Sequence, residues 1–541
     1  MKVDVVIRGG EVVDGTGAPP YRADVAILDG RITAIGTSRD GLLGDTTGIE
    51  ELDATSCLVS PGFVNVLSHA YFTIQQDPRG LSDLYQGVTT EVFGEGVSLG
   101  PVTGEMTPEM IVLGEIAPTV RTAWPSSREF LDDLERRGVG QNVATFVGAA
   151  NLRMAVAGLA DEPLDDDQLA RACGLLRDEL ETGALGVGSA LIYPPGSYAG
   201  TRELIAYAHV LAEHDALYIS HLRNEGDRLE EAVRELLEIA RETGARAEIY
   251  HLKTAGRDNW HKMPEILALV EDARDEGLRI SADIYPYVAG STGITASIPP
   301  QFHRGGIERL RARLRDPATR ARVLAAIREG GEWESLWRMS GGADGVVILS
   351  RHPELGIRPG TSVADIARER GDADPVETLL DIVEAAPYAD AAYFLGDEDN
   401  LRSAFTRPWV SVGSDSDAPS SEDLFADHPV HPRAFGAFAR VIGRYARDEG
   451  LVGIGEAVRR VTSLPASNLR LADRGEIRRG YHADIAVFDL SRVADRATYA
   501  DPKRYATGMR HVLVNGVAAL RDGAPTGLLA GRALRRGPAR R

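Results

Sequence analysis

Histidines and carboxylates stand where short apolar stretches of this chain end. His69 closes the phrase NVLSH, Glu95 lies in Gly94-Glu95-Gly96, His221 in YISHLRNEG, His251 in IYHLKTAG and Asp415 in VGSDSD. Two neutral imidazoles and one carboxylate are the protein ligands a catalytic zinc takes, with a fourth position left for water. Glu95, His221 and His251 supply that set. Asp415 then has the place of a carboxylate beside the activated water, able to take its proton and hand it to a leaving nitrogen. Strand-end phrases of this kind often carry two histidines one residue apart on a metal. Here Leu67 stands where the first would be.

Each residue also has a plainer reading. The chain has 12 histidines, and a single strand-end histidine is commonly a hydrogen-bonded structural group. His209 and His214 fall within or at the end of a helical stretch and read as structural or surface groups. His221 and His251 on adjacent strands favour a metal. Glu95 is either a ligand or a carboxylate that orients one or meets a substrate amide. Asp415 is either the proton carrier or a turn aspartate, as its neighbour Asp417 is. His69 stands equally as ligand and as hydrogen-bond donor beside the site.

Positioning such a set takes several strands that end on one side. Eight candidates cover residues 58–69, 87–96, 142–151, 183–195, 216–226, 247–256, 279–290 and 408–417. Amphipathic helices alternate with them. DRLEEAVRELLEIARETG places Leu229, Ala232, Val233, Leu236, Leu237 and Ala240 on one stripe and closes on a glycine. Eight strand–helix units imply an α/β fold, a (β/α)₈ barrel with its chemistry at the strand ends. The stretch at about 290–347 interrupts the pattern and is expected to form a lid or rim over the mouth. Residues 1–60 and 466–541 read as β-structure, with hairpin signals at Asp29-Gly30 and Asn515-Gly516. They predict one small β-sandwich built from both termini around the barrel segment 61–465.

The 541 residues, with hydrophobic content of 43% and charged content of 26%, suit a soluble globular chain of more than one domain or one large barrel. Lys plus Arg number 60 against 80 for Asp plus Glu, a net charge of −20, which argues against nucleic acid or an anionic membrane as partner. The basic end ALRRGPARR is expected to be a frayed, solvated tail. Two cysteines, Cys57 and Cys173, offer neither a disulfide framework nor a zinc knuckle. No apolar run approaches the roughly 20 residues of a membrane span. The cytoplasm is the expected compartment, and a small molecule the expected partner.

In chain order, SPGFVNVLSH, QGVTTEVFGEG, LIYPPGSYA, SHLRNEGDR, YHLKTAG, DIYPYVAGST, VGSDSD and HPRAFGAF together resemble the N-acyl-D-amino-acid deacylases (D-aminoacylases) of the amidohydrolase superfamily. The resemblance covers nearly the whole chain. It implies a barrel with a composite β-sandwich, zinc at the strand ends and hydrolysis of an amide on a D-amino acid. By this resemblance His221 and His251 match the two essential metal histidines and Asp415 the catalytic aspartate. Lys253 and Arg433 match basic groups that hold the substrate carboxylate, and Tyr193, Tyr285 and Ser291 match groups lining the site. Lys253 has a warrant of its own, since two residues beyond His251 it shares that residue's face. Arg433 also reads as an ion pair closing the loop after strand eight.

Two departures stand out. The family's His-x-His is Leu67-Ser-His69, which should empty or weaken one metal position. Its bridging cysteine is absent, and Glu95 takes that place with the same charge toward zinc. One zinc per chain is therefore expected, with His69 as a possible further ligand. A cyclic-amide hydrolase of hydantoinase or dihydroorotase type is the competing enzyme, but it calls for a lysine on strand four, and GALGVGSALIYPP has none. A silent homologue acting as a binding protein has no need of Asp415 beside a metal.

Overall fold

The computed structural model describes residues 2–37, 46–107, 110, 120–331 and 333–537. The apolar stretch 58–69, expected as a single strand, serves two sheets. Leu58–Pro61 pairs antiparallel with Ile485–Phe488 and parallel with Glu11–Val12, whereas Phe63–Asn65 pairs parallel with Val88–Phe93. The change of partner falls at Gly62, where any Cβ would collide with the side chain of Thr89. Only glycine lets the chain cross there.

The first of these sheets mixes both ends of the chain. Strands at 524–525, 517–521, 509–514 and 485–488 are followed by strands at 58–61, 11–12 and 21–22. A second sheet comes from the N-terminal residues alone, in the order 31–36, 24–28, 2–8 and 47–53. Val5, Ile7, Val25 and Ile27 of one sheet share an apolar cluster with Val59, Ile485, Val487 and Leu513 of the other. Both expected hairpins form. Asp29 and Gly30 have φ of 52° and 71°, and Asn515 and Gly516 of 49° and 84°, the left-handed pair that a two-residue type I′ turn demands.

The middle of the chain supplies parallel strands near the expected positions: Phe63–Asn65, Val88–Phe93, Asn142–Thr145, Val147–Gly148, Gly186–Ala190, Leu217–His221, Arg246–Ile249, Ile280–Ile284 and Val410–Val412. Each pairs in parallel with the next, except that the third is broken at Phe146 into two pieces. A bridge from Ser416 to Ser68 brings the last strand beside the first. Val64, Val66, Leu67, Val92, Phe146, Leu185, Leu217, Ile219 and Tyr250, drawn from successive strands and the residues flanking them, share one apolar cluster. Leu67 is 1% exposed there, and burying such a side chain contributes roughly 1.5–3 kcal/mol. Outside, helix Leu229–Thr243 buries the predicted stripe and stops at Gly244, whose φ is 70°.

The segment before the last strand is longer than the expected 290–347. Ala289–Gly293 pairs antiparallel with Asp390–Phe394, so the excursion runs on to Phe394. It carries a four-stranded sheet and a separate apolar core that includes Ile294, Leu310, Val346, Leu379 and Ile382. The pairing joins residues about a hundred positions apart, which no local pattern signals. The basic tail is also not simply frayed. Ala533 bridges to Val143, Leu534 is buried, Arg535 pairs with Asp132 and Arg536 caps the carbonyl of His214; residues 538–541 lie outside the described set. Among the described residues, no helix is long and apolar enough to cross a membrane.

Candidate metal centre

Strand ends place the five expected residues together. His221 is the last residue of its strand and lies in register with Ala190 of the preceding one. His251 follows the next strand by two residues, and its N–H is held by Asp283 Oδ1 at 3.1 Å. Glu95 arrives through a tight loop. Gly94 (φ 108°) and Gly96 (φ 67°) flank it, and a Cβ at these positions would lie 2.5 Å from the Phe146 carbonyl and 2.7 Å from Ala190 Cβ. Both glycines are needed to press Glu95 inward.

Glu95 Oε1 sits 3.1 Å from His221 Nδ1 and 3.1 Å from His251 Nε2, while its Oε2 sits 3.1 Å from His69 Nε2. His69 Nε2 is also 3.1 Å from Asp415 Oδ1. Two ligand triads result, Glu95–His221–His251 and His69–Glu95–Asp415, each with its donor atoms within 4.8 Å of one another. They share Glu95. His251 (φ 35°) and Asp415 (φ 50°) hold left-handed backbone, a conformation that costs on the order of 1–3 kcal/mol.

The field at the site suits a cation. Burial and Lys253 both oppose a charged His251, yet Glu225 and Glu95 raise its pKa to about 10. Burial opposes a charged His69 too, and Asp415 and Glu95 overcome it. Burial pushes the Glu95 carboxyl up, but the three histidines hold it well below the usual range. The same carboxylate oxygens and imidazole nitrogens lie within 4.8 Å of one another in each triad and are atoms a divalent ion could take. The donor set of two nitrogens and one carboxylate oxygen fits zinc.

A cavity of about 510 Å³ opens onto His69, Asp415, Ser291 and Arg433. Arg433 is 4% exposed. Its Nη1 stands 2.7 Å from Asp415 Oδ2, but neither Nη1 nor Nε makes an aligned hydrogen bond within the protein. Tyr285 lies beneath two cations, with Arg433 4.6 Å and Lys253 5.7 Å from its ring centre. The Tyr193 ring meets the edge of His221 at 5.7 Å. Its phenol is pushed up by burial and tempered by a hydrogen bond to Thr292 of the excursion.

A model of the amidohydrolase family matches residues 371–519. N-acyl-D-glutamate deacylase of Alcaligenes xylosoxydans xylosoxydans is 36% identical over 99% of this chain and 97% of its own. The chain belongs to the N-acyl-D-amino-acid deacylase family of amidohydrolases. Two solved structures of the deacylase family overlay along its length. The N-acyl-D-glutamate deacylase of Bordetella bronchiseptica, complexed with zinc and a phosphonate inhibitor, has a TM-score of 0.80, is 33% identical and covers 99% of this chain and 100% of its own. A D-aminoacylase whose binuclear metal centre shows one-metal activation and second-metal attenuation has a TM-score of 0.78, is 31% identical and covers the same shares.

In this deacylase-family chain the sequence overlooked Glu225. Four residues beyond His221, it is buried and faces His221, His251 and Lys253 at once. Lys253 does reach the site, but its Nζ is 2.6 Å from Glu225 Oε1, so its charge already has a partner. Arg433 likewise makes the ion pair that its plainer reading foresaw, with Asp415 itself.

Proposed function

We propose that this protein is a zinc-dependent hydrolase of N-acyl-D-amino acids, or of related amides that carry a free carboxylate. The observation that carries the reading is Glu95 Oε1 set 3.1 Å from both His221 Nδ1 and His251 Nε2, with Asp415 on the cavity side of that triad. The parallel strands are read as a (β/α)₈ barrel (about residues 61–465) and the two terminal sheets (about 1–60 and 466–541) as its composite β-sandwich. In such a barrel the strand ends carry the chemistry.

Glu95, His221 and His251 would hold the ion. Zinc bound there supplies Lewis acidity, making water acidic and polarising the amide carbonyl. Asp415 accepts the proton of the attacking water and returns it to the nitrogen as the C–N bond breaks. His69 holds Asp415 Oδ1 in place. Arg433, with buried N–H groups lacking aligned partners, receives the substrate carboxylate. Ser291 and Tyr285 line its path, and Tyr193 packs edge-on beside His221.

The test is a panel of N-acetyl-D- and N-acetyl-L-amino acids, followed by release of free amine with and without added zinc. D-substrates should turn over in a zinc-dependent way and L-substrates far more slowly. Turnover of L-substrates alone, or none on the panel, would overturn the reading.

A further inference from the structure

The two histidines are held from both sides. His221 turns Nδ1 to Glu95 and Nε2 to Glu225 Oε2 at 3.5 Å, while His251 turns Nε2 to Glu95 and Nδ1 to Glu225 Oε1 at 3.1 Å. Their rings meet at 4.5 Å and 86°. One carboxylate thus spans the outer nitrogens of both rings, as the other spans their inner ones. Glu225 is itself fixed. Its N–H is held by Glu334 of the excursion at 3.0 Å, and its carbonyl accepts from the N–H of Ala255 at 2.7 Å.

The nitrogen that faces an ion must be bare, so the other must carry the proton. For His251 two groups compete for Nδ1: Glu225 at 3.1 Å and Lys253 Nζ at 2.8 Å. A lysine N–H donated into Nδ1 would leave the proton on Nε2 and block the face toward Glu95. Glu225 Oε1 stands 2.6 Å from the same ammonium and shares it with Nδ1. His221 Nε2 has no aligned partner within the protein, and Glu225 Oε2 is the acceptor within reach.

We infer that Glu225 is the positioning residue of the metal centre: its two oxygens are placed to take the outer N–H of His221 and of His251, and so to fix both tautomers and rotations. It touches neither substrate nor ion. The inference rests on the reading that Glu95, His221 and His251 hold zinc.

Zinc affinity of the metal-free protein, measured by competition with a chromogenic chelator, tests this. Glu225→Gln keeps the shape but accepts through one oxygen only, and affinity should fall about 10–100-fold, the usual cost of losing such a partner. Glu225→Asp is too short to reach both rings and should fall by an intermediate factor. It decides the matter if the glutamine variant does not fold. The control is Glu248→Gln, a buried carboxylate bound to Ser281 and Asn468 and not to the histidines, which should leave affinity unchanged. With cobalt in place of zinc, the visible absorption bands should change in the Glu225 variants and not in Glu248→Gln. Unchanged affinity in the Glu225 variants, or an equal loss in Glu248→Gln, would overturn the inference. If the unmodified protein binds no zinc, the reading beneath it fails instead.

Discussion

Arg433 Nη1 stands 2.7 Å from Asp415 Oδ2, while His69 Nε2 stands 3.1 Å from Asp415 Oδ1. The carboxylate is gripped at both oxygens. Burial would push its pKa up, but Arg433 and His69 outweigh burial and hold it below the usual range. Asp415 is therefore ionised and aimed, the state a proton acceptor needs.

Asp415→Asn preserves the shape and removes the acceptor. Turnover should fall about 10²–10⁴-fold, the usual loss for a general base, with zinc content unchanged. Steady-state kinetics alongside elemental analysis checks both. A wild-type rate would make Asp415 a turn residue.

Arg433→Met should act twice. KM for free acids should rise more than KM for the corresponding methyl esters, since only the acids lose a charged partner. The pH profile should shift as well. The arginine lowers the Asp415 pKa, so its removal raises that pKa, and activity should fail at a higher pH on acidification. An acid limb in its original place, with equal KM effects on acids and esters, would leave Arg433 a structural ion pair.

The family resemblance places a second metal histidine where Leu67 stands, and the buried leucine offers apolar volume there instead. Leu67→His should let metal-free protein take up a second, weaker zinc through the introduced imidazole together with His69 and Glu95, without that ion being required for turnover. Zinc titration with ion counting measures this. A variant that binds no additional ion would contradict it.

Asp390, Asp417, Asp423 and Asp427 line the cavity, and His428 is engaged with Asp417. Burial raises the Asp390 carboxyl to about 6, opposed by His428 and aided by Asp417, so at pH 8 Asp390 is anionic. N-acetyl-D-leucine should then show a higher kcat/KM than N-acetyl-D-glutamate at that pH. The reverse order would contradict the charge argument.

Much of this site was legible because a strand has period two and ends abruptly. His221, His251 and Asp415 stand at strand ends in the sequence and meet in space. Glu225 was not legible: it lies in the loop between the strand ending at His221 and the helix starting at Leu229, and sequence spacing does not give a loop's direction. The same limit hid the partner of Lys253: it lies beside His251 as expected, with Nζ 2.8 Å from Nδ1, but both residues follow the strand rather than continue it, and the lysine's charge turns to Glu225. The reach of the excursion to Phe394 rests on a strand pairing across about a hundred residues, and the split of strand one rests on Gly62 passing Thr89. Both depend on tertiary partners, which local pattern does not reveal.

The zinc content of the protein tests the central claim most directly. Elemental analysis of purified unmodified protein should give about one zinc per chain, and His221→Ala and His251→Ala should each give close to none. Full zinc in both variants, or two tightly held ions in the unmodified protein, would contradict the assignment of Glu95, His221 and His251 as its single metal centre.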